Sequence, residues 1–486
     1  MLLLAGGGAS AQEPVPEASV PAGQEPAAPP EDDAPERVVG PTEGAPTMSL
    51  HAAVRLALER NFALLDSVDA FTASRWQEKA AFGQFFPTVT PIYQHSDQQT
   101  VWGVDLAQKL PWTGGTLTAT GRYLSEPITV TDATFPKTTD LRLLLTQPLL
   151  RGVGPNATFF DLTNARRAVQ GQERSLDLAK QRLAVEVAAA FYAVIAQRQL
   201  LEVARQSLQR TESLLKSSEA RLEVGLASKL DVFRAELQAA QARDSMVRSE
   251  AALASALERF RALLALPPAD PVEPEAAPLP VPVDDLEPVQ LLVQQALDAR
   301  LELQEARDLV GDARRAASLA GQNLWPQLDL NLGVTQLGYG GSFGDAWRAG
   351  DSRVEVFLSA SYPLQQSAQR ANRAVAQIQV GSRERAVRQA ELDVEQQVRQ
   401  ALRDLDQIRK SVELQRQAVE VAVQQRRLAV LRYQRGLGSN FDVVDAESSL
   451  VTSRSALVQL LTSYAVARLD LKRTTGTLDV LTEFAP

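Results

Sequence analysis

The chain contains no cysteine and only two histidines, His51 and His95, among its 486 residues. The absence of cysteine excludes disulfide bonds, iron–sulfur clusters, thiolate zinc sites and cysteine nucleophiles. With so few imidazole groups, histidine-based metal centres and catalytic triads are poorly supplied as well. We therefore expect no enzyme activity, no catalytic residue, no metal site and no cofactor.

The chain also has fewer basic than acidic residues. There are 50 lysines and arginines against 59 aspartates and glutamates, which gives a formal net charge of −9. A nucleic-acid binder needs a basic surface to neutralise phosphates, so nucleic acid is not an expected partner. Outside the N-terminus no run of 18 apolar residues occurs, and the sequence predicts no transmembrane helix. Any membrane-spanning part would have to be built from β-strands.

The N-terminus has the features of an export signal that lacks its first half. Three leucines at positions 2–4 are followed by small residues and by Ala9-Ser10-Ala11, which fits the A-x-A cleavage pattern. The basic segment that normally precedes the apolar part is missing. Residues 1–11 are therefore interpreted as a remnant of a signal peptide, and an unstructured apolar tail is the alternative.

Proline divides the rest of the chain. Nine of the 27 prolines lie in residues 12–46, where the composition predicts a disordered tail. Eight more lie in residues 267–288, which we interpret as an extended connector. No proline occurs between Pro155 and Pro267, or between Pro363 and Pro486. These two tracts are rich in Ala, Leu, Gln, Glu and Arg and predict long helices over 155–224 and 366–435.

Both long helices carry apolar residues at every seventh position. In the first helix the stripe consists of Val187, Val194, Leu201, Leu208, Leu215 and Leu222. A shift of 211 residues gives Val398, Leu405, Val412 and Val419 in the second. A sustained seven-residue stripe predicts coiled-coil packing, although the core of an ordinary long helical hairpin would show the same pattern.

The same shift reveals an internal repeat. "RLEVGLASKLDVFRAE" at 221–236 aligns without gaps on "RYQRGLGSNFDVVDAE" at 432–447. A second match, at an offset of 239 residues, joins 57–87 to 296–326, and both segments end in an aromatic residue followed by proline. Shorter helices are expected over 49–84, 227–266, 286–323 and 438–475.

After each aromatic–proline pair the pattern of apolar residues changes from a helical period to strict alternation, with a period of two residues. Leu328, Leu330, Leu332 and Val334 alternate with polar residues and glycine, and similar runs occur near 88–95, 101–110, 115–124, 139–147 and 353–362. Strands of about ten residues with one apolar face are typical of a transmembrane barrel around a wet interior. A soluble antiparallel sheet shows the same alternation.

These boundaries give a two-repeat organisation. The first repeat spans 47–266, with strands in 87–150 and a tip turn near 225. The second spans 289–478, with strands in 326–363 and a tip turn near 436. The predicted fold class is mainly α with a transmembrane β-barrel part, in which long antiparallel coiled-coil hairpins form two internal repeats.

The chain resembles the TolC-type outer membrane efflux proteins, or outer membrane factors. The resemblance lies in the duplicated plan, in "QPLLRG" at 147–152, and above all in "VGLASKLDV" and "RGLGSNFDVVDAESSL". The resemblance covers roughly residues 47–478. It implies a homotrimer in the outer membrane, with a 12-stranded barrel and a helical tunnel across the periplasm. It also implies porin-like transport from a periplasmic adaptor and an inner-membrane pump to the outside, in efflux or type I secretion.

The resemblance assigns roles to eight residues at the two tip turns. Asp442 and Asp445 match the positions that line the periplasmic constriction, and Asp231 and Tyr433 match positions that hold neighbouring coils together in the closed state. The docking site for the adaptor corresponds to Gly225, Leu226, Gly436 and Leu437. The family's usual basic partner in the closed state corresponds to Gly438 here, so Arg432 or Arg435 would have to replace it.

The turns also have a purely structural interpretation. Gly436 and Gly438 would permit positive φ angles, and the spacing of Ser228 with Asp231 and of Ser439 with Asp442 fits helix N-capping. Four strand-like runs in the first half exceed the family's two per repeat. An extracellular hairpin and a strand extension are the two interpretations of the pair at 101–124, which has no assigned place. A soluble periplasmic coiled-coil scaffold or adaptor is the alternative function, and the substrate and the pump are not specified.

Overall fold

The computed structural model describes residues 44–97, 99–125, 128–130, 133–135, 137–283, 287–348 and 350–483. The interpretation of residues 1–11 as a signal remnant lies outside these ranges, and so does the predicted disordered tail at 12–46 except for its last three residues. The strands are β1 (Thr47–Met48), β2 (Thr88–His95), β3 (Thr100–Lys109), β4 (Thr116–Ser125), β5 (Ile128–Val130), β6 (Ala133–Phe135), β7 (Lys137–Pro148), β8 (Glu273–Pro274), β9 (Gln327–Gly340) and β10 (Gly350–Ser361). The helices are α1 (Leu50–Arg60), α2 (Phe62–Gly83), α3 (Pro155–Thr158), α4 (Phe160–Glu223), α5 (Lys229–Leu263), α6 (Val289–Ala299), α7 (Leu301–Gln322), α8 (Phe343–Arg348), α9 (Ser367–Gln434), α10 (Asn440–Thr474) and α11 (Val480–Glu483).

Two long helices dominate the molecule. Helix α4 has 64 residues and α9 has 68, so at about 1.5 Å per residue each is roughly 100 Å long. Each leads through a short turn into a 35-residue helix, α5 or α10. Helix α4 contacts both α5 and α10, and α10 contacts α9. The two helical hairpins therefore lie side by side, with both turns at the same end.

The seven-residue stripe faces the shorter helices that pack on the two long ones, and Val398, for example, lies in a cluster with Leu292 and Ala296 of α6. Val187, Val194, Val398 and Val412 are fully or almost fully buried. Small residues such as Ala190 lie between them on the same stripe. Leu208 and Leu222, nearer the turns, are only half-buried. Burial of the stripe supplies apolar area that holds each long helix to the shorter helices packed on it.

The shorter helices that precede the strands are interrupted. The sequence predicted single helices over 49–84 and 286–323, and this is wrong, because the chain becomes extended at Asn61 and at Arg300, where ψ is 124° in both. Asn61 and Arg300 are equivalent positions in the 239-residue repeat. The Asn61 side chain accepts a hydrogen bond from the backbone N–H of Leu64 and donates one to the carbonyl of Leu263, so it caps α2 and ties it to α5.

The first long helix is also shorter than predicted. The sequence placed its start at 155, but the chain forms the single turn α3, leaves the helical conformation at Phe159, and begins α4 at Phe160. Gly154, before this turn, has a φ of 91°. By length and composition alone, one helix among the described residues, α4, could cross a membrane, and 56% of its apolar window is buried inside the protein.

Six strands form one antiparallel sheet in the order β10-β9-β7-β4-β3-β2. Strands β3 and β4 correspond to the runs at 101–124 that had no assigned place, and they lie between β2 and β7. A 12-stranded ring made by three chains would require four strands from each chain. Within the part of the chain that the structure describes, the sheet has six.

The proline-rich connector packs against the helices. Strand β8 within it pairs in parallel with β1. Arg198 of α4 donates to the carbonyl oxygen of Pro274 and to the carboxylate of Glu273, both at 2.7 Å, and both side chains are more than nine-tenths buried. Leu279 is buried in the main apolar core. The connector is thus fixed to the long helix at mid-height by a buried ion pair.

Candidate functional site

The tips of the two helical hairpins have nearly identical backbone geometry. Gly225 and Gly436 have φ angles of 76° and 72°, in the left-handed region that glycine adopts without steric cost. At the first tip, Leu226 donates its backbone N–H to the carbonyl of Arg221, five residues back, at 2.8 Å. The same bond joins Leu437 to Arg432. Each glycine thus ends a long helix in a Schellman motif.

Each following helix begins with a capping box. The Ser228 hydroxyl accepts from the backbone N–H of Asp231, and the Asp231 carboxylate accepts from the backbone N–H of Ser228. Ser439 and Asp442 repeat this arrangement. The predicted N-capping is therefore confirmed at both tips. Hydrogen bonds from Ser439, helped by the nearby charge of Arg432, lower the pKa of the exposed Asp442 carboxyl.

Gly438 does not have a positive φ, so that prediction is wrong. Its lack of a side chain has another explanation. A Cβ added there would lie 3.2 Å from the Cβ of Arg432 and 3.4 Å from the backbone nitrogen of Tyr433. The turn folds back so closely on the end of α9 that a larger residue would force a local shift.

Tyr433 connects the two tips. Its side chain is buried, and its hydroxyl lies 3.1 Å from the hydroxyl of Ser218 on α4. The guanidinium carbon of Arg221 lies 4.2 Å from the centroid of the Tyr433 ring. Arg221 also donates to the backbone carbonyls of Tyr433 and Gln434. A cation–π contact and two charged hydrogen bonds thus join the ends of α4 and α9.

A buried asparagine completes this connection. Asn440 is only 1% exposed, and its side-chain nitrogen donates to the Ser218 hydroxyl at 3.2 Å and to the backbone carbonyl of Asp231 at 2.7 Å. We name the cluster of Ser218, Arg221, Tyr433 and Asn440 the tip junction. Within one chain, Asp231 and Tyr433 share no hydrogen bond in the tip junction, since the Asp231 side chain caps its own helix.

Three members of the tip junction were not selected from the sequence. Ser218 was visible only as a small residue beside the seven-residue stripe. Arg221 is the repeat equivalent of Arg432, and this symmetry was the available signal for it. Asn440 gave no signal, because a polar residue at the first position of a helix is ordinarily exposed. Arg432 and Arg435, considered as replacements for the family's basic residue, are both exposed.

Asp442 and Asp445 lie one turn apart at the start of α10, and both are exposed. Residues three apart lie on one face of a helix, so the two carboxylates point to the same side. Behind them, on the buried side of α10, Glu447 receives the guanidinium of Arg210 from α4 at 2.9 Å. This largely buried ion pair fixes the rotation of α10 relative to α4 and thereby the direction of the exposed acids.

Both turns carry apolar side chains into solvent. Leu226 is 78% exposed and Leu437 is 70% exposed. The structure adds three neighbours that the sequence analysis did not select, Val224, Phe233 and Phe441, all more than half exposed. We name these five residues the tip patch. A cluster of exposed apolar residues at the end of a molecule is typical of an interaction site.

Comparisons with known proteins agree with the fold. The sequence model of the outer membrane efflux protein family matches residues 134–266 and 292–477. The outer membrane protein VceC of Vibrio cholerae superposes with a TM-score of 0.69 at 17% identity, over 88% of this chain and 96% of that one. The CmeC channel of Campylobacter jejuni gives 0.66 at 12% identity, over 96% of both chains.

The open state of the MtrE channel of Neisseria gonorrhoeae gives a TM-score of 0.64 at 17% identity, over 92% of this chain and 98% of that one. A search of the curated proteins finds no match. The family match covers well over half of the chain. This chain is a member of the outer membrane efflux protein family.

Proposed function

We propose that the chain forms a homotrimeric exit duct in a tripartite efflux or type I secretion system. In this proposal it passes substrates from a periplasmic adaptor and an inner-membrane pump through the outer membrane, and it performs no catalysis. Family membership supports the outer-membrane location and the role as an efflux channel. The observation that carries the finer proposal is the combination, in one chain, of a sheet with one apolar face and a distant acidic tip.

The sheet has the polarity that a membrane wall requires. Val334 of β9 lies beside Leu143 of β7 and Val354 of β10, and all three point to the same face. Val354 is 73% exposed. On the opposite face, Thr335 lies between Arg142 and Arg353. Exposed apolar residues on one face and charged residues on the other suit a wall between lipid and a water-filled interior.

The helices set the distance between this wall and the tip. Strand β10 leads into α9, which runs about 100 Å before the turn at Gly436. The tip junction and the exposed acids therefore lie far from the sheet, on the periplasmic side of the proposed duct. Three chains would bring three copies of Asp442 and Asp445 around one axis, where carboxylates attract cations and repel anions.

The tip junction is the proposed closed-state lock. Arg221 contacts the ring and the carbonyl of Tyr433 at the end of α9. In this proposal Arg221 takes the role of the family's basic residue, whose position is occupied by Gly438 here. Opening would require the ends of α4 and α9, which this contact joins, to separate. The tip patch is the proposed docking site of the adaptor, because Leu226 and Leu437 remain available to a partner when both turns are formed.

The proposal is tested by reconstituting the purified protein into phospholipid vesicles. We expect the protein to remain in the membrane after a wash with alkaline carbonate, and vesicles containing it to admit small ions faster than empty vesicles. Protein that stays soluble without detergent and leaves the vesicles sealed would contradict the proposal. That outcome would favour the alternative of a soluble periplasmic scaffold.

A further inference from the structure

The six-stranded sheet contains a hairpin that the two-strands-per-repeat plan does not explain. In that plan the strand after α2 would pair directly with the strand before α4. Here β2 and β7 are separated by the hairpin of β3 and β4, which pairs with β2 over residues 100–107 and with β7 over residues 116–124. The register of these pairs shows whether the hairpin belongs to the wall or stands apart from it.

The apolar face continues through the hairpin without interruption. One lateral row crosses all six strands through Val89, Leu106, Ala119, Leu143, Val334 and Val354. The adjacent row on the opposite face consists of Thr90, Asp105, Thr120, Arg142, Thr335 and Arg353. Within the hairpin, Arg122 and Asp105 form an ion pair at 3.7 Å. The hairpin therefore has the same two faces as its neighbours.

Aromatic residues gather at the end of the hairpin far from the helices. Tyr93, Trp102 and Tyr123 lie side by side on the apolar face of β2, β3 and β4. The rings of Tyr93 and Trp102 are 4.5 Å apart, and Trp102 is 57% exposed. Outward aromatic girdles mark the level of the membrane surface in barrel walls. Two of these three residues belong to the hairpin.

The other end of the hairpin is anchored where the helices meet the sheet. Trp112 in its turn contacts Phe159, the residue before α4, with ring centroids 5.1 Å apart. Lys109 donates to the side-chain oxygen of Gln84 at the end of α2. A Cβ on Gly114 would lie 2.6 Å from the carbonyl oxygen of Gly152. The turn is thus fitted closely between the end of α2 and the start of α4.

The two edges of the sheet are compatible with closure between copies of the chain. Among the described residues, β2 and β10 are the outermost strands. All neighbouring strands are antiparallel and their number is even, so β10 of one copy would run antiparallel to β2 of the next. Exposed Val89 and Val354 would extend the apolar face across this contact.

We propose that the β3–β4 hairpin is a permanent part of the membrane wall and that three copies close an 18-stranded barrel through contacts between β10 and β2. This inference rests on the homotrimeric duct proposed above. At equal strand tilt, six strands per chain instead of four widen the circumference by about half. At the end of the sheet near the long helices, the described residues give four connections per chain, to α2, α3, α7 and α9, and the hairpin turn occupies the space between two of them.

The lack of cysteine allows a direct test with single introduced cysteines. We would label the variants Leu106→Cys and Ala119→Cys, on the apolar face of the hairpin, and Ala107→Cys and Thr118→Cys, on its polar face. Val334→Cys and Thr335→Cys on β9 serve as references for the two faces. Each carries an environment-sensitive dye in phosphatidylcholine vesicles, and quenching is measured with a brominated lipid and with aqueous iodide.

The inference predicts that lipid quenches Leu106→Cys and Ala119→Cys within twofold of its effect on Val334→Cys, while iodide quenches Ala107→Cys and Thr118→Cys like Thr335→Cys. If iodide quenches all four hairpin positions and lipid quenches only Val334→Cys, the hairpin lies outside the wall. In that case the inference is wrong, while the proposed duct still stands. If lipid does not reach Val334→Cys either, the proposed duct itself fails. As an independent check, a reconstruction of the trimer by electron microscopy should show 18 strands in the ring. A ring of 12 strands would overturn the inference.

Discussion

Arg221 lies with its guanidinium carbon 4.2 Å from the ring centroid of Tyr433 and donates a 2.8 Å hydrogen bond to the carbonyl oxygen of the same residue. One side chain from the end of α4 thereby holds both the ring and the backbone at the end of α9. Because the carbonyl groups in the last turn of a helix lack helical partners, a cation there is also favoured by the helix dipole.

Removal of this contact should loosen the tip. We expect Arg221→Ala to raise the single-channel conductance or the open fraction several-fold, because no other group described near Tyr433 replaces the lost bonds. The matched control is Arg243→Ala, which removes an exposed ion pair between Arg243 of α5 and Glu212 of α4 at 2.7 Å. Equal currents for wild type and Arg221→Ala would show that this contact does not hold the channel closed.

The capping box at α10 should contribute measurably to local stability. Ser439→Ala removes the side-chain acceptor for the Asp442 backbone N–H, a loss of about 1 kcal/mol, whereas Ser439→Gly costs only a few tenths. We expect amide hydrogen exchange in the first turn of α10 to accelerate about fivefold in Ser439→Ala and clearly less in Ser439→Gly. Equal acceleration in both variants would show that the hydroxyl does not stabilise the turn.

The charge of Asp442 should persist into moderately acidic solution. Its pKa is lowered in the folded protein, so its stabilising effect is complete above the unfolded pKa and is lost as the pH falls through the folded pKa. Repulsion between three such carboxylates in a trimer would act in the opposite direction. We expect the cation selectivity of the channel to be retained from neutral pH to about pH 5. A loss of selectivity between these values would show that repulsion outweighs the cap.

The buried ion pair at mid-height should be important for stability. Glu273→Gln leaves Arg198 buried without its counter-charge, and such a loss costs about 3–5 kcal/mol. The exposed pair of Arg205 and Glu250 at 3.5 Å offers a control, since Glu250→Gln should cost less than about 1 kcal/mol. The thermal midpoints of the detergent-solubilised variants provide the comparison. Equal midpoints would mean that Arg198 finds another partner.

Much of the helical architecture could be predicted because its signals are local. Burial of Val187 and Val398 follows from a seven-residue period. The positive φ of Gly436 was predicted from its place in the turn, and Gly225, its equivalent in the repeat, has the same conformation. The interruptions at Asn61 and Arg300 could not be predicted in this way. Asn61 leaves the helix to bond with Leu263, a residue about 200 positions away, and no periodicity records that contact.

In the sheet and at the tip, too, features set by nearby residues could be predicted and contacts between distant residues could not. Alternation predicted the runs that became β3 and β4, but it identifies the two faces of a strand and not its neighbours. The tip turns were predicted as a site, yet the contact of Arg221 with Tyr433 joins residues 212 positions apart in sequence. Gly438 was misinterpreted because crowding by Arg432 is visible only once the turn has folded.

The proposed function requires the acidic tip to form the constriction of a conducting duct. It is tested most directly by planar-bilayer recordings of wild type beside Asp442→Ala/Asp445→Ala, with Glu219→Ala/Glu223→Ala at the end of α4 as a control of equal charge. We expect a small, cation-selective wild-type current that the control preserves, and a larger or less selective current in the aspartate variant. Identical conductance and selectivity in all three proteins would contradict a constriction at these carboxylates.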